Sequence, residues 1–144
     1  MTINPAGLDL IKQFESCRLR AYQDGGGVWT VGWGHTGPTV HPGTVLTQFQ
    51  ADKLLELDVN YFERSVTALI DGAPTTANQF SAMVCLAYNI GSGAFRRSTV
   101  LCQHRNGNYR LAAIAFMLWV KAGGKPLRGL IRRRNAERIL YLSN

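Results

Sequence analysis

The sequence predicts an α+β protein that is mainly helical, with a small N-terminal β-hairpin lobe. Apolar residues recur at helical spacing before residue 16 and again from residue 47 onward. Between them, the glycine turn Gly25-Gly26-Gly27 leads into the alternating run Val28 to Trp33. Hydrophobic residues make up 46% of the 144-residue chain and charged residues 17%. That composition buries a core and excludes a disordered chain. The expected organisation is one domain over 1–144. About 15–46 form the hairpin and loop lobe, and 47–144 form a helical lobe with helix 5–15 packed on it. A cleft between the lobes is the expected ligand site.

Asn4-Pro5 reads as a helix start, because asparagine caps free amides and proline fits the first turn. Leu8, Ile11 and Glu15 follow on one stripe, since seven residues make nearly two turns. A carboxyl on a core-facing stripe is desolvated, which favours its neutral form. Arg18 to Tyr22 can run extended, Gln23 to Gly27 turn, and Val28 to Trp33 return, with a third short strand expected near Val40. Thr47 and Gln50 fit a capping box that opens a helix running to about Ile70. Asp71-Gly72-Ala73-Pro74 breaks it, and a second helix runs from about Thr76 to Ile90, closed by Gly91 and Gly93. Ser98 caps a short helix that ends before Asn106-Gly107. Tyr109 to Ala122 is expected to be the most apolar and most buried helix, ended by Gly123-Gly124. The last helix, Leu127 to Leu142, is apolar at Leu130, Ile131, Leu140 and Leu142 and basic elsewhere.

The net charge of +7 is local: Lys121 to Arg138 carries seven basic residues and one acid, leaving +1 for the rest of the chain. A basic face of this kind implies an anionic partner. Arg132, Arg133 and Arg134 are the residues expected to meet it. Three cysteines (Cys17, Cys85 and Cys102) without regular spacing point to buried thiols rather than a disulfide framework or a metal site. The N-terminus lacks the basic start and apolar run of a signal peptide, and Leu111 to Val120 is about half the length of a membrane span.

Chemistry concentrates between Glu15 and His35. Two carboxyls close in sequence but in different surroundings suit an acid and a base. Glu15 on the apolar side would donate a proton, while Asp24 in an open glycine turn would stay ionised. Glycosidic hydrolysis uses such a pair, and Thr30 could hold a water near both. The ordinary alternative is a helix-ending Glu15 paired with Arg18 or Arg20 and an Asp24 that only shapes a turn. His35 is expected to be structural, with Asp58 as its partner. Tyr88 and Asn89 at a helix end could reach sugar, since an amide offers both donors and acceptors. Trp29, Trp33 and Trp119 read as packing residues, with Trp29 the one candidate for sugar stacking.

Glu15, eight residues, Asp24, five residues, Thr30 and then Val31-Gly32-Trp33-Gly34-His35 resembles the phage-type lysozymes of glycoside hydrolase family 24. Arg18, Arg20, Ala21 and Tyr22 fit the same pattern. Ala87-Tyr88-Asn89-Ile90-Gly91 with Gly93-Ala94-Phe95 is similar to the family's central segment. Trp119, Lys121-Ala122-Gly123-Gly124-Lys125, Leu127 and Gly129-Leu130, followed by Arg132-Arg133-Arg134 and Ala136-Glu137, are similar to its C-terminal segment. The resemblance spans nearly the whole chain. It implies a lysozyme-like fold and an endolysin hydrolysing the β-1,4 bond between N-acetylmuramic acid and N-acetylglucosamine in peptidoglycan. It implies no cofactor and no metal, with Glu15 as general acid, Asp24 as base for an attacking water, Thr30 holding that water, and inversion at the sugar. It further implies a protein made in the host bacterial cytoplasm that acts at periplasmic peptidoglycan, reached through a separate pore protein; a monomer is the default expectation. Two other classes remain open on sequence: a lytic transglycosylase of similar fold, and a nucleic-acid binder using the basic C-terminal helix.

Overall fold

A computed structural model describes residues 1–144. Contacts divide the chain into two compact units, Lys12–Asn60 and a larger one made of Met1–Ile11 and Tyr61–Asn144. Helix α1 (Pro5–Glu15) and helix α2 (Gln48–Ile70) each contribute residues to both.

The smaller unit holds a three-stranded antiparallel sheet in the order β1 (Arg18–Gln23), β2 (Trp29–Gly32), β3 (His35–Thr36). The third strand lies at His35 and not near Val40. Gly32 and Gly34, at φ of 65° and 87°, turn the chain back at once, a conformation that a side chain resists. Val40 is instead buried with Ala21 and Val31 in a small core, against which Trp29 and Leu46 pack. Residues 44–46 flank β1, through Ala21 N to Thr44 O at 2.8 Å and Leu46 N to Leu19 O at 2.7 Å. Thr47 caps α2 as expected: its amide donates to Gln50 Oε1 at 2.9 Å and its hydroxyl accepts from Gln50 N at 3.2 Å.

The larger unit is built around helix α3 (Ala77–Ile90), in which every residue from Gln79 to Ala87 is buried. A second capping box, Thr76 with Gln79, starts it, and Gly91 at φ 90° ends it. Gly93 does not end a helix, because it lies inside α4 (Ser92–Arg96). Helix α5 (Thr99–Arg105) is capped by Ser98, whose hydroxyl accepts from Leu101 N at 3.1 Å. The helix expected over Tyr109 to Ala122 is shorter: α6 covers Tyr109–Ala115, and a 3-10 turn covers Phe116–Leu118. Nor is it the most buried, since Leu111, Ile114 and Leu118 are exposed by more than half. Gly123 and Gly124 form the positive-φ tip of a hairpin between β4 (Lys121–Ala122) and β5 (Lys125–Pro126).

Helix α7 (Arg128–Leu142) packs Leu140 against the main core and half-buries Leu130, as expected, but its most buried face is largely charged. Its buried residues are Arg133, Arg134, Glu137 and Tyr141, while Ile131 and Leu142 are exposed. Arg133 Nε lies 3.1 Å from Glu137 Oε2, and Arg134 Nε lies 3.0 Å from Glu137 Oε1. Of the three arginines assigned to an anionic partner, only Arg132 therefore stays at the surface. His104 is fully buried. Its ring joins Thr75 Oγ1 at 2.8 Å and Tyr141 OH at 2.6 Å, and burial holds its pKa below the usual histidine range. Cys85 is buried, with its thiol donating to Gly7 O at 3.1 Å, whereas Cys102 is exposed and Cys17 half-buried, so the three thiols do not share one environment. No helix is long and apolar enough to cross a membrane.

Candidate active site

Glu15 is the last residue of α1, and Ser16, in the left-handed region at φ 57°, stops the helix directly behind it. The carboxyl is half-buried, which is less sealed than its place on the Leu8–Ile11 stripe suggested. It lies against Gly34: a Cβ at that position would run into Glu15 Oε2. Glycine is thus demanded there twice, by φ and by space.

Asp24 begins the turn between β1 and β2. Its Oδ1 accepts from Gly26 N at 2.8 Å and from Val28 N at 2.9 Å, so two backbone amides fix the carboxylate. Oδ2 carries no hydrogen bond, and the residue is exposed. Glycines at 25–27 leave these amides free to converge on one oxygen.

Thr30 lies on β2 and is nearly buried at 4% exposure. Its hydroxyl donates to Val28 O at 3.0 Å, leaving the oxygen's lone pairs to accept. Tyr22, directly opposite Thr30 in the β1–β2 register, is the residue that ties the group together. The Arg18 guanidinium stacks 4.3 Å from its ring centroid. Burial, then the negative charge of Glu15, with a smaller part from Asp24, push the Tyr22 phenol above its ordinary pKa, while Arg18 pulls the other way. Both carboxyls thus lie close enough to act on one phenol. The sequence carried Tyr22 only as a motif letter. Its central place follows from cross-strand register, which a register shift between Arg18 and Tyr22 makes hard to count in advance.

His35 Nδ1 meets Asp58 Oδ2 at 2.7 Å, as the sequence suggested, and that hydrogen bond raises the histidine's pKa. In the larger unit, Asn89 is exposed at the end of α3, and its Oδ1 accepts from Arg134 Nη2 at 2.6 Å. The oxygen is thereby occupied and the NH2 group is turned away from the guanidinium. Tyr88 is half-buried, its ring 5.4 Å from that of Phe62. Trp29 is half-buried against the small core, which accounts for much of its surface by packing. No group of three or more His, Cys, Asp or Glu side chains is arranged to hold a metal ion.

A mainly helical chain with a small hairpin unit that carries two carboxyls defines the lysozyme-like α+β class. The sequence profile of the phage lysozyme family matches residues 12–137, and the chain belongs to that family. It is 41% identical over 147 residues to the endolysin of Salmonella phage P22, covering 99% of each chain. It is 43% identical over 145 residues to the endolysin of Bacillus phage B103, covering 99% of this chain but 55% of that protein, so it spans about half the length of that relative. Among solved structures, the muramidase domain of SpmX from Asticaccaulis excentricus superposes with a TM-score of 0.88 at 38% identity, over 99% of both chains.

Proposed function

We propose that the chain is a muramidase that hydrolyses the β-1,4 bond between N-acetylmuramic acid and N-acetylglucosamine in peptidoglycan. One observation carries this reading: a half-buried carboxyl and an amide-fixed, solvated carboxylate on one small unit, both felt by the Tyr22 phenol. Family membership and the endolysin relatives support it.

In this mechanism Glu15 protonates the leaving oxygen. Asp24, oriented by two amides on Oδ1, presents Oδ2 to a water and takes its proton as that water attacks the anomeric carbon. Thr30 accepts a hydrogen bond from the same water, because its own proton is committed to Val28 O. Attack from the face opposite the leaving group inverts the anomeric centre. Asn89 donates through its NH2 to a sugar acceptor such as an N-acetyl oxygen, Tyr88 beside it is a second candidate contact to sugar, and Trp29 is a candidate for sugar stacking. Exposed Lys121, Lys125, Arg128 and Arg132 supply general attraction to an anionic envelope, in place of the buried Arg133 and Arg134. The protein acts as a monomer, and delivery to the wall falls to a separate pore protein.

Product analysis of digested sacculi tests this. Hydrolysis yields muropeptides with reducing muramic acid, one water heavier than anhydro products, and NMR of the first-formed product shows the inverted anomer. Anhydro ends would mean a transglycosylase, and a retained anomer would remove Asp24 as base.

A further inference from the structure

Burial of Arg133 and Arg134 leaves the origin of the surface charge to other arginines. Arg96 ends α4 and Arg97 follows it. Ser98, Leu101, Cys102 and Arg105 recur at i, i+3, i+4 and i+7, which is one face of the capped turn and helix α5. With Asn106 these residues line a cavity of about 380 Å³.

The cavity is strongly one-sided in charge. Three guanidiniums line it, and no lining residue is acidic. Arg96 and Arg97 make no ion pair. Arg105 reaches Asp71 at 3.5 Å, with both side chains exposed, a contact that water screens. The Ser98 hydroxyl is already committed, donating to Phe95 O at 2.7 Å and accepting from Leu101 N at 3.1 Å. What remains for a ligand is a set of forked, permanently charged donors. Such a set takes a ligand that only accepts and carries more than one negative charge. A single carboxylate has two oxygens and one charge, too few for three guanidiniums. Successive phosphodiesters along a polymer supply a charge and free oxygens at every repeat.

We propose that this cavity is a second binding site, for the phosphate groups of an anionic envelope polymer. It uses none of the residues of the carboxyl site. It tethers the protein to its target polymer layer while hydrolysis proceeds elsewhere on the molecule. The choice of an envelope polymer rests on the muramidase reading; the pocket's affinity for phosphate does not.

Cys102 makes the site readable without any hydrolysis assay. Its side chain is exposed in the cavity wall, Cys85 is buried, and Cys17 lies in the other unit. Iodoacetamide labelling of the full chain, read by peptide mass spectrometry, follows Cys102 with Cys17 as internal control. Poly(glycerol phosphate) is the probe. At about ten times its Kd it should slow Cys102 labelling about tenfold and leave Cys17 unchanged. In R96Q/R97Q, with an unchanged melting temperature, and separately in R105Q, the protection should fall at least several-fold. No protection of the wild type overturns the site. Equal protection by polyglutamate of matched charge overturns the phosphate assignment. Stronger protection by single-stranded DNA or by phosphatidylglycerol vesicles overturns the wall-polymer assignment.

Discussion

Gly34 sets the position of Glu15. Its φ of 87° and the carboxylate lying where a Cβ would go make any side chain there a displacement of the acid. Gly34→Ala should lower kcat by roughly tenfold or more, since small shifts of a catalytic group are costly. It should lower stability by about 1–2 kcal/mol for the left-handed backbone. Full activity in a folded Gly34→Ala protein would show that Glu15 is not held there. The His35–Asp58 pair makes a different prediction. His35 has its folded pKa raised above the unfolded value, so its added stability is fully present below about pH 6.5 and is lost as pH rises through the folded pKa. Asp58→Asn should therefore cost about 1–2 kcal/mol near pH 5.5, the low end for a charge-assisted bond because both groups are partly exposed, and less at pH 9. Urea titrations at both pH values read it; an equal loss at each would mean that the charge plays no part. At this scale the sequence was legible where a residue type has one obvious task. Histidine sought a carboxylate and threonine a cap. Tyr22 was not legible, because only the strand register discloses what stands opposite it.

Among the elements, α7 departs furthest from its sequence pattern. Its buried stripe, Arg133, Arg134, Glu137 and Tyr141, has helical spacing, but it shows only if charged residues are counted as core. Glu137 pairs with two buried guanidiniums, and Asn89 Oδ1 and Cys85 O accept further hydrogen bonds from them. Glu137→Gln should destabilise the protein by about 3–5 kcal/mol, because it removes a buried carboxylate that pairs with both guanidiniums. A loss below about 1 kcal/mol in urea titration would mean that the arginines find solvent instead. The over-extended α6 has a similar cause. Leu111, Ile114 and Leu118 look like a buried stripe and are exposed. Gly123-Gly124 between lysine-flanked pairs is a two-residue hairpin turn, and a glycine pair signals such a turn as strongly as it signals a helix stop.

Over the whole molecule, periodicity separated a hairpin segment from helices but could not rank the helices by burial. α3 is central because it is apolar on every side from Gln79 to Ala87, with only small or satisfied polar groups among them. The candidate segment could be picked out because its groups are local: glutamate, turn carboxylate and threonine fall within sixteen residues, Glu15 to Thr30. The basic surface was not, since burial of an arginine depends on partners 45 and 48 residues away, Asn89 and Cys85. The family relationship, which runs from residue 12 to 137, agrees with the fold through both units. The account as a whole depends on Glu15 and Asp24 acting as acid and base. Turbidity clearing of permeabilised cells by wild type, Glu15→Gln and Asp24→Asn, each with its folding checked by circular dichroism, tests this most directly. The account predicts rapid clearing by the wild type and a loss of at least about a hundredfold in each variant; equal clearing by all three would contradict it.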